Sequence, residues 1–125
     1  MEKTKILVVD DDEAIGKLVK LNLEETGEYT VRVLTSGLRA VTEAAEFKPD
    51  LIFLDFVMPD IDGGSVYNCL AENKETKNIP VVFLTAMATD EETGESGNVI
   101  GGHPILAKPV STKKLIDCIK KYGKA

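Results

Sequence analysis

Residues 51–63 read Leu-Ile-Phe-Leu-Asp-Phe-Val-Met-Pro-Asp-Ile-Asp-Gly, four apolar residues followed by a single acid and a turn. An unbroken apolar run is typical of a strand covered on both faces, as in a parallel sheet with helices on either side. Asp55 would then lie at the carboxyl end of a buried strand, where open α/β sheets place their ligands. The alternative is a carboxylate that only caps the following turn, and this stretch alone leaves both interpretations open.

The composition is that of one globular domain. The chain has 125 residues, 43% of them hydrophobic and 29% charged, which is enough to bury a core without disulfides or structural metal. Cys69 and Cys118 match no metal-ligand spacing, so we expect both to be reduced. The sequence shows no secretory signal and no apolar run near the roughly 20 residues that span a bilayer, which predicts a cytoplasmic protein without membrane contact. A net charge of −6 argues against direct binding to nucleic acid.

Apolar strands and amphipathic helices alternate along the chain. Five strands are predicted, at residues 5–9, 30–34, 51–54, 81–84 and 105–107. The clearest helices begin after the acids at 10–12, after Ser36, after the turn at 59–64 and near Ser111, and Ser36 can cap the second of them. This alternation predicts an α/β fold, a doubly wound five-stranded parallel sheet with helices on both faces, and residues 1–125 as a single domain.

One segment departs from this pattern. The alternation requires a helix between residues 88 and 103, yet the segment contains four glycines, each of which costs a helix about 1 kcal/mol relative to alanine. They are Gly94, Gly97, Gly101 and Gly102. We therefore expect a short or frayed helix there, with His103 as a loop residue.

Polar residues follow four of the predicted strands. Because parallel strands end at the same edge of a sheet, we expect these side chains to meet there. They are Asp10, Asp11, Asp55, Thr85 and Lys108. Asp12 is well placed to cap the first helix, which leaves the two acids before it without a local structural role.

This set of side chains suits phosphoryl chemistry. Carboxylate oxygens are the ligands that Mg²⁺ prefers, and adjacent carboxylates repel one another unless a cation lies among them. A lysine and a hydroxyl opposite the acids would stabilise the charge on the oxygens of a transferring phosphoryl group. Asp55 is the carboxylate that remains to act as the nucleophile.

The chain resembles the receiver domains of two-component response regulators. The resemblance rests on Asp10-Asp11 after Leu-Val-Val, on Asp55 ahead of Met-Pro-Asp-Ile-Asp-Gly, on Thr85-Ala86 and on Lys108-Pro109. These motifs have the order and spacing of the family, and they cover essentially the whole chain. Each motif alone would be weak, whereas the matched set is specific.

The resemblance implies a phosphorylation site. Asp55 would accept a phosphoryl group from a phosphohistidine on a sensor histidine kinase or a histidine phosphotransfer protein. Lys108 would pair with the phosphoryl oxygens and with Asp55, and Thr85 would donate a hydrogen bond to the phosphate. Val57 and Met87, each two positions beyond a site residue, would flank the path of the water that removes the phosphate.

The resemblance also implies a metal site and a signalling role. Mg²⁺ would be held by Asp11, Asp55 and the backbone carbonyl of Val57, with Asp10 assisting through metal-bound water. Phosphorylation would shift the surface that the family forms from its fourth helix, fifth strand and fifth helix. That shift would change the affinity for a downstream protein target, which the sequence does not name.

Three features depart from the family. Ile105 stands where the family usually has Tyr or Phe, Pro104 precedes it, and the segment before both is rich in glycine. These departures leave the phosphorylation chemistry untouched and put the usual route of signal output in question. No output domain follows the last helix, so we expect either a stand-alone receiver or a piece of a longer protein.

Three other functions share part of this pattern. A haloacid-dehalogenase-like hydrolase needs a second Asp two positions after the nucleophile, where this chain has Val57. A flavodoxin-like cofactor binder would have to cradle phosphate in its first loop, and the acids at 10–12 would repel it. The third is a degenerate receiver that acts only as a protein interaction module, and phosphorylation by a small phosphodonor would distinguish it.

Overall fold

The computed structural model describes residues 3–56, 58–85, 99–100, 103–107 and 111–123. These residues form a six-stranded sheet, whose strands are β1 (Thr4–Val9), β2 (Tyr29–Leu34), β3 (Leu51–Asp55), β4 (Val81–Thr85), β5 (Val99–Ile100) and β6 (His103–Ala107). Their order across the sheet is β2-β1-β3-β4-β6-β5. The described helices are α1 (Glu13–Glu24), α2 (Ala40–Phe47), α3 (Gly63–Glu72) and α4 (Thr112–Tyr122), and a 3₁₀ turn (Gly37–Arg39) leads into α2.

Strands β1, β2, β3, β4 and β6 pair in parallel, which confirms the predicted five-stranded parallel sheet. The central strand β3 pairs with β1 on one side and β4 on the other, with Phe53 opposite both Val8 and Val82. All five residues of β3 are buried. Both faces of this strand are covered, and this explains the continuous apolar run in its sequence, as inferred above.

Alternate residues of the strands supply two hydrophobic cores, one on each face of the sheet. On one face, Phe53 packs in a cluster that includes Leu23 of α1 and Leu115 of α4. On the other face, Leu54 packs in a cluster that includes Ala44 of α2 and Leu70 of α3. Helices thus cover both faces, as the predicted doubly wound fold requires.

Short polar side chains begin three of the helices. The carboxylate of Asp12 accepts hydrogen bonds from the backbone N–H groups of Ala14 and Ile15, as predicted, and Asp62 and Ser111 cap α3 and α4 in the same way. Ser36, however, makes no capping hydrogen bond, so its predicted role as a helix cap is wrong. Its hydroxyl is engaged elsewhere, as described below.

The prediction of a helix between residues 88 and 103 is wrong for the carboxyl end of that segment, which forms strands. Residues 86–98 lie outside the described part of the chain. Val99 and Ile100 form strand β5, antiparallel to β6, with Ile100 opposite His103 and Val99 opposite Pro104. Two glycines separate Ile100 from His103, and that spacing favours a tight hairpin. His103 accordingly begins a strand and is not a loop residue.

Proline is compatible with this hairpin. The residues that flank a two-residue turn form the hydrogen-bonded pair, so the next pair along the ladder is not hydrogen-bonded. Pro104 occupies that second pair, and its missing N–H therefore removes no bond to β5.

Among the described helices, none is long and apolar enough to cross a membrane.

Candidate functional site

Three carboxylates meet at the carboxyl edge of the sheet. Asp10 directly follows β1 and Asp55 ends β3, two strands that are paired neighbours. Asp10, Asp11 and Asp55 each offer one carboxylate oxygen, and these atoms all lie within 4.8 Å of one another. Asp10 is fully buried and Asp55 is 4% exposed, whereas Asp11 is exposed to solvent.

Backbone hydrogen bonds hold these acids in place. The N–H of Asp10 donates to the carbonyl of Leu34 at the end of β2, at 3.0 Å, and the N–H of Asp12 donates to Oδ1 of Asp10, at 2.9 Å. On the other side, the N–H of Phe56 donates to the carbonyl of Leu84, at 2.9 Å. The cluster therefore rests on backbone contributed by four adjacent parallel strands.

The donor set fits a divalent cation. Ionised carboxylates whose oxygens lie this close repel one another, and two of these three are buried. A hard cation between them would relieve that repulsion, and oxygen ligands with an open, solvent-facing side suit Mg²⁺, which retains several waters when bound. The exposed position of Asp11 provides such an open side.

Gly63 fixes the backbone beside Asp55, and the sequence reasoning missed this role. The N–H of Gly63 donates to the carbonyl of Phe56 at 2.8 Å. A Cβ at Gly63 would lie 2.6 Å from the carbonyl oxygen of Asp55 and 2.7 Å from Cα of Phe56. Only glycine allows the first turn of α3 to approach the end of β3 this closely. The signal available in the sequence was the Asp62-Gly63 pair that closes the opening stretch.

A second missed feature joins two loops near the acids. The hydroxyl of Ser36, in the loop after β2, donates to Oδ2 of Asp60 at 2.7 Å. The backbone N–H of Ile61 donates to the other carboxylate oxygen at 2.9 Å. The hydrogen bond from Ser36 is the main reason why the pKa of Asp60 lies below its ordinary value. No pattern in the sequence indicated this pair.

The remaining predicted site residues are less completely described. Thr85 ends β4, opposite Ala107 of β6, so its backbone lies at the same edge of the sheet as Asp55. Val57 and Lys108 lie outside the described residues. Ile105 is buried and pairs with Phe83, whose ring contacts Phe56 edge-on with centroids 5.4 Å apart.

The sequence matches the family described as response regulator receiver domain over residues 6–120. The polar-differentiation response regulator DivK of Brucella ovis is 36% identical over 119 residues, which cover 94% of this chain and 94% of that protein. The DNA-binding dual master transcriptional regulator RpaA of Synechocystis is 36% identical over 112 residues. That match covers 90% of this chain and 46% of RpaA, so the chain spans about half the length of that relative.

Solved structures show the same architecture. The chemotaxis protein CheY4 of Vibrio cholerae superimposes with a TM-score of 0.80 at 25% identity, covering 96% of this chain and 98% of that one. The receiver domain of the Francisella response regulator 1452 superimposes with a TM-score of 0.75 at 32% identity, covering 95% of each chain.

Proposed function

The chain belongs to the response regulator receiver family, and from that premise we propose that it is a phosphoacceptor switch whose acceptor is Asp55. The phosphoryl donor would be a phosphohistidine on a sensor histidine kinase or a histidine phosphotransfer protein. The observation that carries the proposal is the convergence of three carboxylates within 4.8 Å at the carboxyl edge of the sheet, with the side chain of Asp55 buried among them.

Asp55 is the best placed of the three acids to act as the nucleophile. It lies on the central strand, and its backbone is held by the approach of Gly63 and by the adjoining bond from Phe56 to Leu84. A fixed nucleophile reacts faster because less orientational freedom is lost in the transition state. In the transfer, an oxygen of Asp55 would form a bond to phosphorus as the bond from phosphorus to the histidine nitrogen breaks, and the electron pair of that bond stays on the nitrogen.

Asp10, Asp11 and Asp55, with the backbone carbonyl of Val57, would hold Mg²⁺. When bound, the ion would supply positive charge to the phosphoryl oxygens and to the carboxylates around them. Lys108 would hold a second phosphoryl oxygen, and Thr85 would donate a hydrogen bond to the phosphate after transfer.

Receiver domains of response regulators interact with kinases or phosphotransfer proteins and with downstream targets. The names of the relatives indicate diverse outputs, since DivK is a polar-differentiation regulator and RpaA binds DNA. For this chain we propose a protein target, because a net charge of −6 disfavours direct contact with nucleic acid. We also propose that residues 1–125 act as one receiver domain in the cytoplasm.

Incubation with acetyl phosphate and Mg²⁺, followed by intact-mass measurement, tests the proposal. We expect a single phosphoryl adduct that disappears in Asp55→Asn and in the presence of a chelator. Asp62→Asn is the matched control, because Asn caps a helix as well as Asp does and position 62 is outside the acidic cluster. An undiminished adduct in Asp55→Asn would refute the acceptor assignment, and no adduct in the wild type would favour a degenerate receiver that only binds partners.

A further inference from the structure

We propose that Ser36 is a positioning residue, whose hydrogen bond to Asp60 braces the loop after Asp55 against the loop after β2. The inference rests on the proposed function, because the edge that this brace positions is the one assigned to Mg²⁺ and phosphate. Ser36 and Asp60 are 24 positions apart in the chain, so their bond, at 2.7 Å, joins two separate loops and is not part of a local turn.

The end of β2 and the loop after it connect two parts of the chain beside the acidic site. At the end of β2, the carbonyl of Leu34 accepts a hydrogen bond from the backbone N–H of Asp10, one of the three clustered acids. Two residues later, Ser36 reaches Asp60, in the loop that follows Asp55. One short segment therefore connects the backbone at the end of β1 with the loop after β3. A displacement of this segment would therefore move the loop after β3 relative to the end of β1.

Apolar packing beneath the hydrogen bond sets the distance between the loops. Gly37 is buried, and a Cβ there would lie 2.7 Å from Ile61, 2.9 Å from Val66 and 3.0 Å from Met58. Those side chains fill the space that any larger residue at position 37 would need. The Ser36 hydroxyl lies next to this contact, at its solvent-facing rim, where it can hold the loops together.

The hydrogen bond is suited to set geometry more than to stabilise the fold. Asp60 is exposed and Ser36 is only half-buried, so water can replace either partner at a modest cost in free energy. A water molecule would not hold the Asp60 carboxylate in a fixed direction toward the loop after β2. The other oxygen of this carboxylate accepts a hydrogen bond from the N–H of Ile61. We therefore expect Ser36→Ala to fold and to loosen the loop that follows Asp55.

Ser36 also allows a rescue variant. Its backbone is extended, with φ −128° and ψ 125°, a conformation that β-branched residues adopt readily. Ser36→Thr keeps the hydroxyl in this conformation, whereas Ser36→Ala removes it. Ser65→Ala is the matched control, because Ser65 also donates its hydroxyl to an aspartate, Asp62, but within the first turn of α3.

Calorimetric titration with Mg²⁺ alone measures the effect. We expect Ser36→Ala to raise the Kd for Mg²⁺ by about threefold to tenfold, the range for one lost hydrogen bond. Ser36→Thr should restore the wild-type value, and Ser65→Ala should leave it unchanged. At saturating Mg²⁺ the rate of phosphate uptake from acetyl phosphate should match the wild type in all three variants, since Ser36 and Ser65 donate to Asp60 and Asp62, which are outside the acidic cluster. A residue that only stabilised the fold would lower the Tm without this selective change in Kd.

Two results would overturn the inference while leaving the proposed function intact. One is an unchanged Kd in Ser36→Ala, and the other is an equal rise in Ser65→Ala. Failure of Ser36→Thr to restore binding, in a variant that is folded, would also overturn it, because the hydroxyl would then not be the cause. If the wild type neither binds Mg²⁺ nor takes up phosphate, the proposed function fails instead, so the two failures are distinct.

Discussion

Replacing Gly63 by alanine should destabilise the protein and impair Asp55, whereas replacing the adjacent Gly64 should do neither. A Cβ at Gly63 would lie 2.6 Å from the carbonyl oxygen of Asp55 and 2.7 Å from Cα of Phe56. Both are backbone atoms, which cannot rotate out of the way. A Cβ at Gly64 would meet only Oδ1 of Asp62, at 3.2 Å, and this side chain can yield by a few tenths of an ångström.

The size of the effect follows from these distances. Ordinary contact begins at 3.4 Å, so α3 would have to move away from β3 by about 0.8 Å (3.4 − 2.6) to admit the methyl group. Overpacking of this kind costs about 1–3 kcal/mol, and a backbone clash belongs near the upper end of that range. The better helix propensity of alanine returns at most about 1 kcal/mol. We therefore expect Gly63→Ala to lose about 2 kcal/mol of unfolding free energy.

Urea unfolding followed by circular dichroism would measure this loss. A difference of about 2 kcal/mol corresponds to a drop in Tm of roughly 6–10 °C for a domain of this size. Gly64→Ala should be at least as stable as the wild type and gain at most about 1 kcal/mol, because its methyl group meets no backbone atom and alanine favours the helix. In conditions where both variants are folded, Gly63→Ala should take up phosphate from acetyl phosphate more slowly, since its Asp55 backbone is displaced.

Two outcomes would contradict this reasoning. Equal stability of the two alanine variants would mean that the close approach at Gly63 can relax without cost. A destabilised Gly63→Ala that still takes up phosphate at the wild-type rate would mean that the contact supports the fold and does not position Asp55.

Two further predictions concern α1 and the lifetime of the phosphate. The N–H of Val31 and the ammonium of Lys20 both donate to Glu24, and they hold its pKa below the ordinary value of 4.5. This stabilisation is present above pH 4.5 and is lost as the pH falls through the lower folded-state pKa of Glu24. The difference in unfolding free energy between the wild type and Glu24→Gln should therefore shrink on acidification. A difference that stays constant with pH would contradict this prediction. Val57 and Met87 cannot orient an attacking water, so Val57→Asn or Met87→Glu should speed the loss of phosphate measured by mass, and unchanged rates would show the prediction to be wrong.

The five parallel strands of the sheet and the meeting of the acids could be predicted from the sequence. Each of these strands is recognisable from its own apolar residues, and their alternation with helices makes them parallel. In a parallel sheet the ends of the strands coincide, so Asp10 and Asp55 must converge although 45 positions separate them (55 − 10). The cap at Asp12 could be predicted for a similar reason, because its hydrogen bonds span only two and three residues.

Tertiary structure alone decided the contacts in which one loop meets another. Ser36 has the residue type of a helix cap, and its hydroxyl instead donates to Asp60 because packing at Gly37 brings the two loops together. The role of Gly63 likewise depends on how closely α3 approaches β3, a distance that local propensity does not specify. Local patterns determine which elements form and which strand ends share an edge, whereas the partners of a loop side chain depend on distances of a few ångströms that are set only when the whole core has packed.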